Sequence, residues 1–395
     1  MSKIDDLIKQ YCPNGVEYKE LGDILDYEQP TRYIVKSARY DSNADTPVLT
    51  AGQTFILGYT FEKDGIYKAS KKNPVIIFDD FTTSYHWVDF NFKVKSSAMK
   101  MLRPKPDFDG IFKYVLYAMG EIHYSPQDHA RQWISQYSKF KIPVPHPRVQ
   151  EEIVRVLDAF TALEAELEAE LEARKRQYEY YRNKLLTFDE NTTGGGRIKF
   201  MQLGDVGIFI RGNGLQKKDF TDTGIGCIHY GQIYTYYGTF AERTKSYVSN
   251  ELAEKLKKAR TGDLIIATTS ENVEDVGKAV AWLGDENICI SGDAFIYHHN
   301  QNPKYMSYLF QTNSFFEQKK KCITGVKVMR INDVAMSKFK FGFPPIEEQE
   351  RIVAILDKFD SLVNDISEGL PAELTARRQQ YEYYRNKLLT FEEIA

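Results

Sequence analysis

Asn302, Pro303, Lys304 and Tyr305 follow one another as N-P-K-Y. This is one letter from the Asn/Asp-Pro-Pro-aromatic loop that holds a flipped base in amino-methyltransferases. Lys304 replaces the second proline, however, and no glycine-rich nucleotide loop follows an early strand. A helix start suits these residues better, with Asn302 as N-cap and Pro303 at the first helical position. Phe78-Asp79-Asp80 brings two acids together, yet no P-D…(D/E)-x-K pattern accompanies them to build a metal-dependent nuclease. T-G-I-G (223–226) and R-G-N-G (211–214) complete neither a dinucleotide fingerprint nor a phosphate loop. His298 and His299 sit at a strand end, where alternating faces keep adjacent residues from chelating together. The four cysteines, Cys12, Cys227, Cys289 and Cys322, are scattered without a C-x-x-C pair, which argues for free thiols. None of these residues makes a catalytic centre.

Other stretches suit contact with a nucleic acid. G-N-G-L-Q-K-K-D-F (212–220) is a glycine turn followed by Lys217 and Lys218, and G-Q-I-Y-T-Y-Y-G (231–238) offers Gln232, Tyr234 and Tyr236. A-T-T-S-E-N-V-E-D (267–275) is a polar loop after a buried strand, with Thr269, Ser270 and Asn272. K-K-K-C-I-T-G-V-K-V-M-R (319–330) combines five cations, Lys327 and Arg330 among them, with a glycine hinge. Earlier in the chain, Gln53, Thr83, Ser84, Tyr85, His86 and Arg131 are the corresponding candidates. Lysine and arginine serve phosphates, while Gln, Asn, Ser and Thr serve base edges. Taken singly, each stretch also reads as an ordinary solvated loop. A net charge of −3 does not exclude the nucleic-acid reading, because the acids are concentrated: residues 151–173 hold eight against the single Arg155. Residues 198–343 carry nineteen Lys/Arg against fifteen Asp/Glu.

The elements that must position these loops are duplicated. Q-Y-E-Y-Y-R-N-K-L-L-T-F occurs at 177–188 and again at 380–391. P-H-P-R-V-Q-E-E-I-V-R-V-L-D-A-F (145–160) matches P-P-I-E-E-Q-E-R-I-V-A-I-L-D-K-F (344–359), and V-E-Y-K-E-L-G-D-I (16–24) resembles I-K-F-M-Q-L-G-D-V (198–206). Apolar residues recur at three- and four-residue steps through both copies, the seam of a coiled coil. The fold class expected is therefore α/β (α+β), with two globular domains separated by two long antiparallel coiled-coil helices in a pseudo-two-fold repeat. Boundaries fall at 1–144, 145–190, 191–343 and 344–395. Between L-E-A-E-L-E-A-E-L-E-A-R (163–174) and I-S-E-G-L-P-A-E-L-T-A-R (366–377) the offset grows from 199 to 203. This reads as one inserted helical turn of about 6 Å, kinked or restarted at Gly369 and Pro371.

Within the domains, P-V-I-I-F (74–78), N-F-K-V-K-S-S-A-M-K-M-L (91–102), G-D-L-I-I-A-T-T-S (262–270), K-A-V-A-W-L (278–283) and C-I-S-G-D-A-F-I-Y-H (289–298) read as strands. F-K-Y-V-L-Y-A-M (112–119), E-L-A-E-K-L-K-K-A (251–259) and 305–321 read as helices. Apart from the framing repeats, the two domains show little mutual identity. No stretch approaches twenty apolar residues and the first residues lack a signal peptide's core, so a cytoplasmic protein without a membrane partner is expected.

C-P-N-G-V-E-Y-K-E-L-G-D-I, G-D-L-I-I-A-T-T-S-E-N-V-E-D-V-G-K-A-V-A-W-L-G-D-E, N-P-K-Y-M-S-Y-L-F-Q-T, P-P-I-E-E-Q-E-R-I-V-A-I-L-D-K-F-D-S-L-V and R-R-Q-Q-Y-E-Y-Y-R-N-K-L-L-T-F together resemble the specificity subunits of type I restriction–modification enzymes. The resemblance runs over the whole chain. It implies two target recognition domains, each reading half of a split double-stranded DNA sequence, and a subunit that is not itself catalytic. It also implies two modification subunits that carry S-adenosylmethionine and methylate adenine, and restriction subunits that use ATP and Mg to cleave; no cofactor is expected in this chain. The repeated aromatic segment would then grip the same partner twice, through Tyr178, Tyr181, Arg182 and Lys184 and through Tyr381, Tyr384, Arg385 and Lys387. Two other classes remain at this level: a self-sufficient methyltransferase or nuclease, and a coiled-coil adaptor that binds only proteins.

Overall fold

Val75–Asp79 is an almost continuous apolar run whose first four side chains are all buried, the signature of a strand covered on both faces. It anchors a sheet ordered Leu25–Glu28, Met99–Pro104, Val75–Asp79, Tyr85–Val88, with each neighbour antiparallel. In the computed structural model, which describes residues 3–52, 54–127, 129–190 and 198–394, this sheet belongs to the first of two units. That unit takes in the chain up to Glu166 and resumes from Leu374 onward; the second is Leu167–Glu373.

Five helices carry the argument: α1 (Phe112–Met119), α2 (Pro147–Leu186), α3 (Pro303–Leu309), α4 (Ile346–Asn364) and α5 (Leu370–Leu389). The divisions between units fall inside α2 and α5. Each unit is therefore built from its own globular part, the start of the helical region that follows it, and the end of the other copy's.

In the first unit Ile153 and Leu157 of α2 share a core with Leu389 of α5, Tyr114 of α1 and Ile76 and Phe78 of the sheet. Phe160 stacks on Tyr384 at 5.5 Å and Glu164 pairs with Arg378 at 2.6 Å, so α2 and α5 run antiparallel there. The second unit has a five-stranded sheet around Leu264–Ala267 and Ala294–His299 and a four-stranded one around Ile225–Ile228 and Ile288–Ile290. Its core joins Leu171, Tyr178 and Leu186 of α2 to Ile352, Leu356 and Val363 of α4 and Leu370 of α5.

Two local expectations change. E-L-A-E-K-L-K-K-A is not one helix: a single turn, Asn250–Ala253, gives way to the short strand Lys258–Ala259, which pairs with Ile288 and Cys289. Sheet edge hydrogen bonds there outweigh a modest local helix preference. The second change concerns the four extra residues of the second copy, which add no helical turn. The helix breaks between Asn364 and Leu370, where Asp365 accepts hydrogen bonds from the backbone N–H groups of Ser367 and Glu368. A Cβ on Gly369 would lie 2.4 Å from the Ser361 carbonyl, so the chain can pass only as glycine. By contrast α2 runs unbroken for 40 residues.

Candidate nucleic-acid interface

The frame under each set of loops is identical in kind. In the first unit Lys113 and Tyr117 lie one turn apart on α1, a spacing that places both on one face. The Tyr117 hydroxyl donates to Asp158 of α2, and Lys113 Nζ stands 2.9 Å from the same carboxylate. Gln150 Nε2 donates to the Pro145 carbonyl at 2.7 Å while its Oε1 accepts from Ile111 N at 2.7 Å; Tyr114 donates to the Pro143 carbonyl at 3.0 Å. In the second unit Tyr308 of α3 donates to Asp357 of α4 at 2.6 Å, with Lys304 Nζ at 2.8 Å. There Gln349 donates to the Pro344 carbonyl at 2.8 Å and accepts from Asn302 N at 3.0 Å, and Tyr305 donates to the Gly342 carbonyl at 3.3 Å. Burial first and the carboxylate second push both tyrosine hydroxyls, 117 and 308, well above their ordinary pKa. N-P-K-Y is thus the start of a helix, with Asn302 capping Tyr305 N and Pro303 in the first turn. Its Lys304 is half of this clasp.

The low mutual identity of the two domains hides K-Y-V-L-Y (113–117) and K-Y-M-S-Y (304–308). Three shared letters spaced over five are below what an ungapped comparison reveals, and only the common aspartate contact gives them meaning.

In the second unit several nominated side chains converge. Thr269–Ser270 pairs antiparallel with Met329–Arg330, so Thr269, Ser270 and Arg330 share one small ribbon, and Lys327 is exposed just ahead of it. Tyr234 joins them through its hydroxyl, 3.4 Å from the Thr269 carbonyl, and burial raises its pKa to about 12. Thr269 and Ser270 are largely buried, and Asn272 spends its amide on Asp275 at 2.9 Å. Gln232 is committed to structure: Oε1 accepts from His229 N at 2.9 Å and Nε2 donates to Ser246 at 2.8 Å. Lys217 and Lys218 are exposed on a short 3-10 turn, and Lys217 lines a cleft with Arg211, His229, Tyr230 and Asp293. Tyr236 is 56% exposed and carries Lys245 over its ring at 4.4 Å, a cation that sequence reading passed over.

In the first unit Thr83 adopts a left-handed backbone, φ 60°, at the loop after Asp79, and is nearly buried. Ser84 donates to the Ala51 carbonyl at 2.6 Å, and the His86 ring stacks on Phe55 at 4.6 Å. Tyr85, its neighbour on the strand, faces the other way: it lines a pocket with Lys113, Tyr381 and Arg385, and burial lifts its pKa to about 12. Arg131 lies 3.6 Å from the fully buried Asp80, which also meets Lys100 at 3.4 Å and accepts from Trp133 N at 2.9 Å. Asp79 accepts from Phe81 N and Thr82 N at 2.8 and 2.9 Å, so both acids of F-D-D serve the loop. Gln53 lies outside the described residues. Among the described residues no group of three or more His, Cys, Asp or Glu side chains could hold a metal ion.

The repeated aromatic segment divides between two faces. Tyr178 is only 5% exposed and donates to Asp360 at 3.0 Å, so the expectation of an exposed ring fails there. Tyr181 stacks on Phe359 at 5.5 Å, as Tyr384 stacks on Phe160. Arg182 contacts Gln311 at 3.3 Å, Arg385 binds Glu121 at 2.6 Å, and Tyr381 packs into the first unit's core. Lys184 and Lys387 remain exposed. The rings turned outward are ones the sequence reading left out: Tyr180 at 57% and Tyr383 at 62% exposure. The signal was the helical period itself, since residues two apart face different sides.

Comparison with known proteins places this arrangement. The family model described as type I restriction modification DNA specificity domain matches residues 13–173 and again 197–376. The Escherichia coli type I restriction enzyme EcoR124I/EcoR124II specificity subunit is 41% identical over 402 residues, covering 99% of this chain and 98% of that one. A putative specificity subunit of Haemophilus influenzae is 29% identical, covering 95% and 96%. Among solved structures, the S subunit of a type I restriction-modification system from M. genitalium has a TM-score of 0.55 at 13% identity, covering 95% of this chain and 96% of its own. A chain from work on complex assembly and conformational transition of the type I R-M system has a TM-score of 0.57 at 16% identity, covering 95% and 98%. No helix among the described residues is long and apolar enough to cross a membrane.

Proposed function

The chain belongs to the type I restriction–modification DNA specificity family, and from that premise we propose that it reads a split double-stranded DNA sequence, one half per unit, without catalysing any step itself. One observation carries this reading: the same lysine–tyrosine–aspartate clasp and glutamine staple recur in both units beneath loops of unlike chemistry. A repeated frame with unlike readers suits a target whose halves differ. In this reading two modification subunits supply S-adenosylmethionine and the adenine-methylating site, and restriction subunits supply ATP- and Mg-dependent cleavage. The outward faces around Tyr180 and Lys184, and around Tyr383 and Lys387, are the repeated surfaces available to those partners. The unbroken α2 sets the spacer between half-sites.

The test is methylome mapping of cells that express this chain with its modification subunits. Adenine methylation at a bipartite site is expected, and none from the purified chain alone; methylation by the single chain overturns the reading. Removing one L-E-A-E unit from α2 shortens it by about 6 Å, at most about two base pairs of 3.4 Å rise. The preferred spacer should change while both half-sites stay the same.

A further inference from the structure

Residues 324–330 of the second unit form an arm with an unusual tip. At its base Thr324 and Arg330 exchange backbone hydrogen bonds of 3.0 and 2.8 Å. Two further ties hold the segments on either side of it to the domain. Ile331 N donates to the Thr268 carbonyl at 3.1 Å, and the buried Lys319 Nζ donates to the carbonyls of Glu274 and Val276 at 2.7 and 2.6 Å. Gly325 turns the chain at φ +92°, and a Cβ there would lie 2.2 Å from the Val328 carbonyl oxygen, so the turn is possible only with glycine. Turn tips ordinarily carry Gly, Pro, Asn, Asp or Ser. Here Val326 is 91% exposed and Val328 45% exposed, while Lys320, Lys321, Lys327 and Arg330, close by in sequence, are all exposed.

We infer that Val326 is a specificity-determining side chain that reads a thymine methyl group in the major groove of the half-site bound by the second unit, an inference that rests on the reading above. The cations explain why the occupant is DNA: they suit phosphates, which fix position but carry no sequence information. The major groove admits a two-stranded ribbon, and the C5-methyl of thymine is the one apolar feature a base pair presents there. Valine matches that task, being apolar and stiff at χ1, so contact costs little rotamer freedom. Intercalating wedges in the minor groove use larger side chains such as Phe, Leu, Ile or Met.

The experiment uses the full complex with modification subunits and a duplex that carries the mapped site. Each thymine of the half read by the second unit is replaced in turn by deoxyuridine, which removes only the methyl. One replacement should weaken binding of the wild-type complex about four-fold, the worth of one buried carbon. Val326→Ser should abolish that difference and leave the other half-site untouched. Lys327→Ala should weaken binding to all sequences alike and lower the salt dependence by about one ion. Indifference of the wild type to deoxyuridine at every thymine of that half overturns the inference, as does a Val326→Ser complex that keeps the discrimination. In either case methylation of a bipartite site would still stand. If no bipartite site is methylated at all, the functional reading itself fails.

Discussion

The two units share one backbone hook and surround it with different side chains. Gln132 N donates to the Asp80 carbonyl at 2.8 Å in the first, and Ile331 N donates to the Thr268 carbonyl at 3.1 Å in the second. The residue just before each hook is an arginine. In the first unit Arg131 leans toward the buried Asp80 carboxylate, which is already shared with Lys100. In the second, Thr268 offers only a hydroxyl in place of that carboxylate; Arg330, like Arg131, is exposed. The approach to the hook differs as well: His129 stacks on Phe81 at 4.6 Å in the first unit, where the second presents Val326 and Val328. The backbone hydrogen bond of the hook and the clasp are common to both units, while the side chains at the hook and beyond it differ in charge and polarity.

The strongest way to break that symmetry is pH. Five residues before the clasp lysine stands Phe108 in the first unit and His299 in the second. Burial, the leading cause, lowers the His299 pKa from 6.5 to about 4; Nδ1 accepts from Gln301 N, and the buried Nε2 has no hydrogen-bond partner among the described residues. The neutral ring is therefore the native form. Its contribution is intact above pH 6.5 and is lost as pH falls toward 4, by roughly 3 kcal/mol over that window. Chemical denaturation at pH 7 and 4.5, followed by fluorescence of Trp282 in a background with Trp87→Phe and Trp133→Phe, should show this loss for the second unit, and His299→Phe should flatten it. An unchanged slope in the variant would sink the assignment.

Next in size, Asp357→Ala should destabilise the second unit by about 2 kcal/mol, because it strands the buried Tyr308 hydroxyl. Asp158→Ala should cost the first unit a similar amount. Markedly unequal losses in thermal unfolding would mean that the clasps are alike only in geometry. Exchanging residues 324–330 for another family member's arm should shift binding by about 1–3 kcal/mol per altered base pair, in one half-site only. A change in both halves would dissolve the division of labour. The smallest stability effect belongs to Tyr180→Ala with Tyr383→Ala: within about 0.5 kcal/mol for such exposed rings. Assembly with modification subunits should nonetheless weaken, in contrast to Tyr178→Ala, which opens the second unit's core.

The duplication was legible because Q-Y-E-Y-Y-R-N-K-L-L-T-F recurs letter for letter, and the helices because Leu and Tyr keep their period. The candidate interface was legible only in part, since composition does not show how a polar side chain is spent. Gln232 has a base reader's chemistry but goes to a helix cap, and Tyr85 faces α5 because strand parity turns it from His86. The restart near Gly369 and Pro371 was legible in the four inserted residues, whereas the added turn was not, because an inserted turn and a break have the same letter count. Gly369 against the Ser361 carbonyl decides for the break.

The first unit's dependence on the chain's last stretch has a consequence for synthesis. Leu388, Leu389 and Phe391 pack into the core begun by Ile4 and Leu21, and Tyr18 donates to the Phe391 carbonyl at 3.0 Å. A ribosome making this protein therefore releases the second unit's residues before the first can be completed, although domains ordinarily fold in the order they emerge. A premature stop near Leu374 would leave the later-made domain whole and unfasten the earlier one.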